Sequence, residues 1–191
     1  MQVTEQTEDR AAAVQQLTDV MWKFTSYIGK RLPTDVTHKL ADLRAQETHP
    51  LAKAVYQSMK DNQDAADRLD RPSCQDTGVI QYFITAGARF PLLGELEDIL
   101  SAATKEATIR GPLRHNAVET FDEKNTGTNT GSKIPWLDWE IDPKGDGCTI
   151  DVYMAGGGCT LPGAAKVLMP GEGYEGVAEF VFDVITQRGV N

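Results

Sequence analysis

The sequence predicts a mixed α+β fold: a helical N-terminal layer packed on a small β-sheet that contains a hairpin. Three observations carry that prediction. Apolar residues recur at helical spacing through the first seventy residues. Residues 79–87, VIQYFITAG, are too apolar and too rich in β-formers for a loop. Two alternating segments, WLDWEID and CTIDVYMA, flank the turn sequence PKGDG at 143–147.

The elements follow in chain order. Thr7 is the expected cap of a first helix, with Glu8 and Asp9 in the turn where the macrodipole favours negative charge. Val14, Leu17, Met21, Phe24 and Ile28 form its apolar face, and Pro33 stops it. Thr34 and Asp35 open a second helix with Val36, Leu40 and Leu43 on one face. Pro50 suits the first turn of a third, which carries Leu51, Val55 and Met59. Trp22, His38 and His49 show no ligand-like pairing, so this region reads as scaffold or subunit contact.

RPSCQDTG (71–78) then reads as a loop and 79–87 as a buried strand. Residues 90–109 read as a helix facing inward through Leu92, Leu96, Ile99 and Ala103. Residues 111–135 are weakly periodic, and an irregular stretch of that length is usually functional or mobile. Asn-Thr-Gly occurs at 125–127 and again at 129–131, where Gly supplies positive φ and Asn bonds its own backbone. In the hairpin, Leu137, Trp139 and Ile141 form a dry face against Asp138, Glu140 and Asp142, with Cys148, Ile150, Val152 and Met154 in phase. GGGCTLPG breaks all periodicity. A last helix near 173–187 places Val177, Phe180, Val181 and Val184 on one side, and RGVN follows with no polar tail. No repeat or linker divides the chain, so 1–191 reads as one domain: a helical layer (1–70) and a mixed part (71–191) bearing the loops.

Net charge is −9, which argues against non-specific nucleic-acid binding. A few arginines and backbone amides can still hold a small dianion, because the local field decides. No apolar run approaches the ~18 residues of a membrane span. The polar start MQVTEQTEDR is neither a signal nor a transit peptide, so the cytoplasm is the expected compartment. Three irregularly spaced cysteines fit reduced thiols rather than a disulfide framework.

Three irregular segments are candidates for chemistry. Cys74 in CQDTG is a packed thiol, a nucleophile or a ligand for a soft metal or iron–sulfur cluster. Arg114, beside His115 and Asn116, offers a guanidinium fork for a carboxylate, or belongs to a charged surface loop. Gly156, Gly157 and Gly158 let backbone amides approach an anion, or make a tight turn. Cys159 lacks a nearby histidine in sequence that would activate it. The three segments are expected to meet at one site.

RPSCQDTG, RFPLLGELEDIL, PLRHNAVETFDEKNTGTNTGS, VYMAGGGCTLPG and KVLMPGEGYEGV carry a resemblance that spans essentially the whole chain. The sequence resembles an alpha-type chain of the iron–sulfur hydro-lyase family that includes the class I fumarases. The resemblance implies the N-terminal domain fold of that family. It implies dehydration of L(+)-tartrate to oxaloacetate and water, with fumarate hydration or a cluster-less binding module as alternatives. It implies a 4Fe–4S cluster held by three cysteines, whose open iron is a Lewis acid toward a substrate hydroxyl and carboxylate. Its implied partners are a beta subunit and a small dicarboxylate, with no nucleic acid and no membrane.

Within that resemblance, Cys74 matches the first cluster ligand. Gln75 and Asp76 match polar groups beside the substrate, with Asp76 as proton carrier. Arg114 matches a carboxylate-binding guanidinium and Gly157 a backbone contact to the substrate. Cys148 reads as packing, and the family does not use the position of Cys159 as an iron ligand. Its second ligand lies in an Asn-Ala-Cys-Pro-Pro stretch that would begin where Val190 and Asn191 stand. The expectation is therefore a chain lacking the C-terminal portion, with one cluster ligand of three, inactive alone, and with apolar surface exposed on its last helix.

Overall fold

The computed structural model describes residues 2–160 and 163–188, with the side chains of 8–158 and 163–187. They fall into two compact units, Met1–Met154 and Ala155–Asn191. The first contains α1 (Gln2–Ile28), α2 (Thr34–Gln46), α3 (Pro50–Leu69), β1 (Val79–Gly87), α4 (Leu96–Arg110) and β2 (Trp136–Asp142), followed by β3 (Cys148–Ala155). Because α1 begins at Gln2, Thr7 lies inside it rather than at its cap. No Gly or Pro interrupts residues 2–6, so nothing stops the helix from propagating through them.

The strands form one mixed sheet in the order β2-β1-β3. β1 and β2 are parallel, from Gln81 opposite Trp136 to Gly87 opposite Asp142, and α4 lies in the crossover between them. The Gly87 N–H donates to the Gly147 carbonyl at 2.8 Å and the Arg89 N–H to Gly145 at 3.1 Å. Partner numbers fall as β1 numbers rise, the register of an antiparallel pair. The expected hairpin strands and their turn are present, but β1 lies between the two arms. The most apolar strand thereby gains backbone partners on both sides, which its burial demands.

β1 is buried on one face only. Ile80, Tyr82, Ile84 and Ala86 pack under α4 residues Leu96, Leu100, Ala103 and Ala107 and under Met21 of α1. Val79 and Phe83, on the other face, are more than a third exposed. The expected fully buried strand is thus half open, because the packed helices cover a single side. The register aligns Leu137, Trp139 and Ile141 of β2 with Tyr82, Ile84 and Ala86 on the helix-covered face. Only Leu137 joins the core. Trp139 and Ile141 stay more than a third exposed. On β3, Cys148, Ile150, Val152 and Met154 pack against the core as the alternation requires.

The Tyr82 hydroxyl is buried between Thr25 of α1, at 2.9 Å, and Thr104 of α4, at 3.1 Å. Burial pushes its phenol pKa up, so it stays protonated. Tyr82→Phe removes the hydroxyl that joins the two helices. It is expected to lower stability by about 1–2 kcal/mol, read from denaturant unfolding.

The helical layer on the sheet is α1 and α4. α2 buries no residue and α3 buries only Ala66. The stripe Leu51, Val55 and Met59 is exposed, at 69%, 53% and 46%. Polar ties hold α3 to the end of α1: the buried Lys30 ammonium meets Asp70 at 3.0 Å, and the Gln63 amide donates to the Lys30 carbonyl at 2.9 Å.

The second unit contains the single-turn α5 (Gly157–Thr160) and α6 (Gly173–Arg188). α6 leaves Val177, Val181, Phe182 and Ile185 exposed, the apolar surface expected of it. The terminal Gly189, Val190 and Asn191 lie outside the described residues. Among the described residues no helix is long and apolar enough to cross a membrane.

Candidate functional site

The loop bearing Cys74 is shaped by its two ends. α3 closes on Asp70 in the left-handed region, φ 50°, and the Arg71 N–H returns to the Ala66 carbonyl at 3.0 Å. Gly78, at φ 84°, turns the chain into β1, a conformation that favours glycine. Between them the Asp76 carboxylate accepts the Gly78 N–H at 2.9 Å, an Asx turn. The Asp76 N–H points at the Cys74 sulfur, 3.4 Å away. The Asn62 amide of α3 donates to the Ser73 carbonyl at 2.6 Å and pins the loop from outside. Cys74 and Gln75 are exposed, and Asp76 is half-buried.

The segment bearing Arg114 lies directly against this loop. The Arg114 N–H donates to the buried Thr77 hydroxyl at 2.9 Å. The Asn116 amide donates to the Asp76 carboxylate at 2.5 Å. Arg71, Pro72, Pro112, Leu113, Arg114 and His115 line an open cleft of about 590 Å³. Two of the three expected segments therefore meet. They bring two guanidinium groups to one cleft on an acidic protein, the local field that a small dianion requires. Arg71, Thr77 and Asn116 had no assigned role in the sequence reading. Arg71 carried a signal nonetheless, since it opens the same short motif as Cys74.

The two Asn-Thr-Gly copies behave differently. In the first, Gly127 takes φ 72° and the Asn125 side-chain Oδ1 accepts its N–H at 2.8 Å, the expected local turn, while the Asn125 amide donates to the His115 carbonyl at 2.5 Å. In the second, Asn129 itself takes φ 55° and bonds distant residues instead of its own backbone. Its Oδ1 accepts the N–H groups of Asn116 at 2.7 Å and Ala117 at 3.2 Å. Its Nδ2 donates to the Arg114 carbonyl at 2.6 Å and the Thr108 hydroxyl at 3.1 Å.

Gly157 lies in the second unit, as the first residue of α5. The Cys159 side chain lies outside the described residues. Cys148 is half-buried against the core, and burial pushes its thiol pKa up, which disfavours the thiolate that a metal requires. Among the described residues, no group of three or more His, Cys, Asp or Glu is placed to hold a metal ion. One exposed thiol, Cys74, offers one ligand, whereas a cubane needs one for each iron it attaches to the protein. The described residues therefore do not form a complete cluster site.

The family model for "Fumarate hydratase (Fumerase)" matches residues 18–191. The L(+)-tartrate dehydratase subunit alpha of Escherichia coli O157:H7 is 56% identical over 183 residues, covering 96% of this chain and 60% of the relative. Its counterparts in Escherichia coli strain K12 and in Shigella sonnei strain Ss046 are each 55% identical with the same coverage. The chain thus spans about 60% of the length of the curated relatives it matches. With the family match running from α1 through α6, and so through both loops at the cleft, the chain belongs to the fumarate hydratase (Fumerase) family.

Proposed function

We propose that this chain is the N-terminal portion of an alpha-type subunit of a hydro-lyase that dehydrates L(+)-tartrate. Loss of water from tartrate leaves an enol of oxaloacetate, which tautomerises to the keto acid. The observation that carries this reading is the joining of the Cys74–Asp76 loop to the Arg114 segment through Thr77 and Asn116, beside a cleft lined by Arg71 and Arg114. The identity to tartrate dehydratase alpha subunits, across nearly the whole chain, supports L(+)-tartrate as the substrate.

In this proposal Arg114 grips one substrate carboxylate and Arg71 adds positive field. Gln75, exposed beside Asp76, hydrogen-bonds a substrate hydroxyl. Asp76 carries a proton, and the Gly157 N–H contacts the substrate. Cys74 is one ligand of a 4Fe–4S cluster whose remaining ligands come from beyond the described residues. A beta-type subunit completes the substrate site. An oxygen-sensitive cluster and unpaired thiols require a reducing compartment, which the cytoplasm provides. Fumarate hydration is the second reading, favoured by the description of the family model that matches.

The test is anaerobic reconstitution of the chain with the rest of an alpha-type subunit and a beta-type subunit. Oxaloacetate formed from L(+)-tartrate supports the proposal. Turnover of fumarate alone moves it to the second reading, and turnover of neither by a cluster-loaded assembly refutes both. In the active assembly, Arg114→Lys loses the planar fork and is expected to raise KM about 10- to 100-fold with a smaller change in kcat. A KM equal to wild type would remove Arg114 from the carboxylate site.

A further inference from the structure

We infer that Asn129 is a positioning residue: its carboxamide holds residues 114–117 and thereby sets Arg114 at the cleft and Asn116 against Asp76. The part concerning substrate rests on the role proposed for Arg114. The lock itself rests on geometry alone.

Asn129 is 2% exposed, and its side chain makes four hydrogen bonds. Three of them go to the backbone of the Arg114 segment: a carbonyl at 114 and the N–H groups at 116 and 117. The fourth ties that segment to Thr108 on α4, whose hydroxyl is itself bonded to the Thr104 carbonyl at 2.8 Å. One amide thus ties the Arg114 segment to α4, beside the Arg114 N–H bond to Thr77 and the Asn125 amide bond to the His115 carbonyl at 2.5 Å.

The connection continues. With its N–H held by Asn129, Asn116 reaches across with its own amide to Asp76 at 2.5 Å. Asp76 in turn receives the Gly78 N–H and directs its own N–H at Cys74. A chain of hydrogen bonds thus runs from α4 through Asn129 and Asn116 to Asp76.

The chemistry demands asparagine. The position needs two donors and an oxygen that accepts twice, which only a carboxamide provides. It also needs φ 55°, which asparagine tolerates and glutamine adopts far less readily. Aspartate offers the acceptor without the donors. Glycine accepts the backbone conformation and offers neither.

Asn129→Gly therefore separates the amide from the backbone angle. In the complete assembly it is expected to raise KM for the dicarboxylate about tenfold or more, with a smaller loss in kcat. In an Arg114→Lys background the further rise should stay under about twofold, because the two changes act on one contact. Hydrogen–deuterium exchange of the amides of Asn116 and Ala117 should accelerate about tenfold or more, with the core amides of α4 unchanged. Asn129→Asp keeps the acceptor. It should preserve protection at 116 and 117 while raising KM by an intermediate amount, and it takes the place of the glycine variant if that one does not fold.

Wild-type exchange at 116 and 117 in Asn129→Gly would overturn the lock. Faster exchange with an unchanged KM in an active assembly would overturn the positioning role. A wild-type assembly that turns over neither L(+)-tartrate nor fumarate would overturn the proposed function instead, and the exchange measurement would still decide the lock.

Discussion

Cys74→Ser is expected to reduce turnover of the reconstituted assembly to below about 1% of wild type, through loss of the cluster ligand proposed for this position. It should shift the unfolding free energy of the chain by no more than about 0.5 kcal/mol. The two effects separate because the thiol is exposed, at a turn, and makes one weak contact, the Asp76 N–H at 3.4 Å. A serine oxygen can accept the same N–H. Cys148→Ser is expected to behave in the opposite way. That side chain faces the core between β3 and the helices, beside Ile150 and Val152 in phase. A hydroxyl there costs about 1–2 kcal/mol and leaves turnover intact. Denaturant titration and iron content, measured on both variants, check the pair. Activity kept by Cys74→Ser and lost by Cys148→Ser would transfer the ligand assignment to Cys148.

Gly87→Ala is expected to destabilise the first unit by about 3 kcal/mol, the upper range for overpacking. That is roughly 6–12 °C in melting temperature for a chain of this size. A Cβ at Gly87 would lie 2.2 Å from the Gly145 carbonyl carbon and 2.4 Å from the Asp146 nitrogen. These are backbone atoms of the turn joining β2 to β3, so no side-chain rotation relieves the clash. The turn cannot withdraw cheaply either. It accepts the Gly87 N–H at Gly147 and the Arg89 N–H at Gly145, and Asp142 accepts the Ala88 N–H at 2.8 Å. Gly94→Ala is the control: its Cβ meets nothing within 4 Å, and the change is expected to fall within about 0.5 kcal/mol of wild type. Matching melts for the two variants would refute the account of the turn.

Local signals were legible in the sequence. β1 occupies the residues that VIQYFITAG marks, and α4 buries Leu96, Ile99 and Ala103 as its spacing requires. Cys148 is in phase with the core-facing residues of β3. Sheet order was not legible, because the partner of β2 is chosen by burial of β1 across a long crossover and leaves no mark in the hairpin residues. The same limit applies to α2 and α3. Periodicity identifies Leu51, Val55 and Met59 as one stripe and says nothing of what lies against it. At the candidate site, the motif residues around Cys74 and Arg114 were legible. Asn129 was not, because its tripeptide is identical to the copy at 125–127. The two copies diverge through what surrounds them: Thr108 and the Arg114 segment enclose Asn129, and the exposed Asn125 pairs a local turn to Gly127 with one bond to the His115 carbonyl.

The central place of β1 in the sheet has a consequence for synthesis on the ribosome. Both of its partners lie C-terminal to it, and β2 begins roughly 50 residues after β1 ends. At about 5–20 residues per second, the strand leaves the exit tunnel some 3–10 s before a partner exists to pair with it. During that interval an apolar nine-residue segment with two unsatisfied edges is open to other nascent chains. Cellular yield of this protein should therefore depend on translation rate and on chaperones that shield extended segments, more steeply than its folded stability alone would suggest.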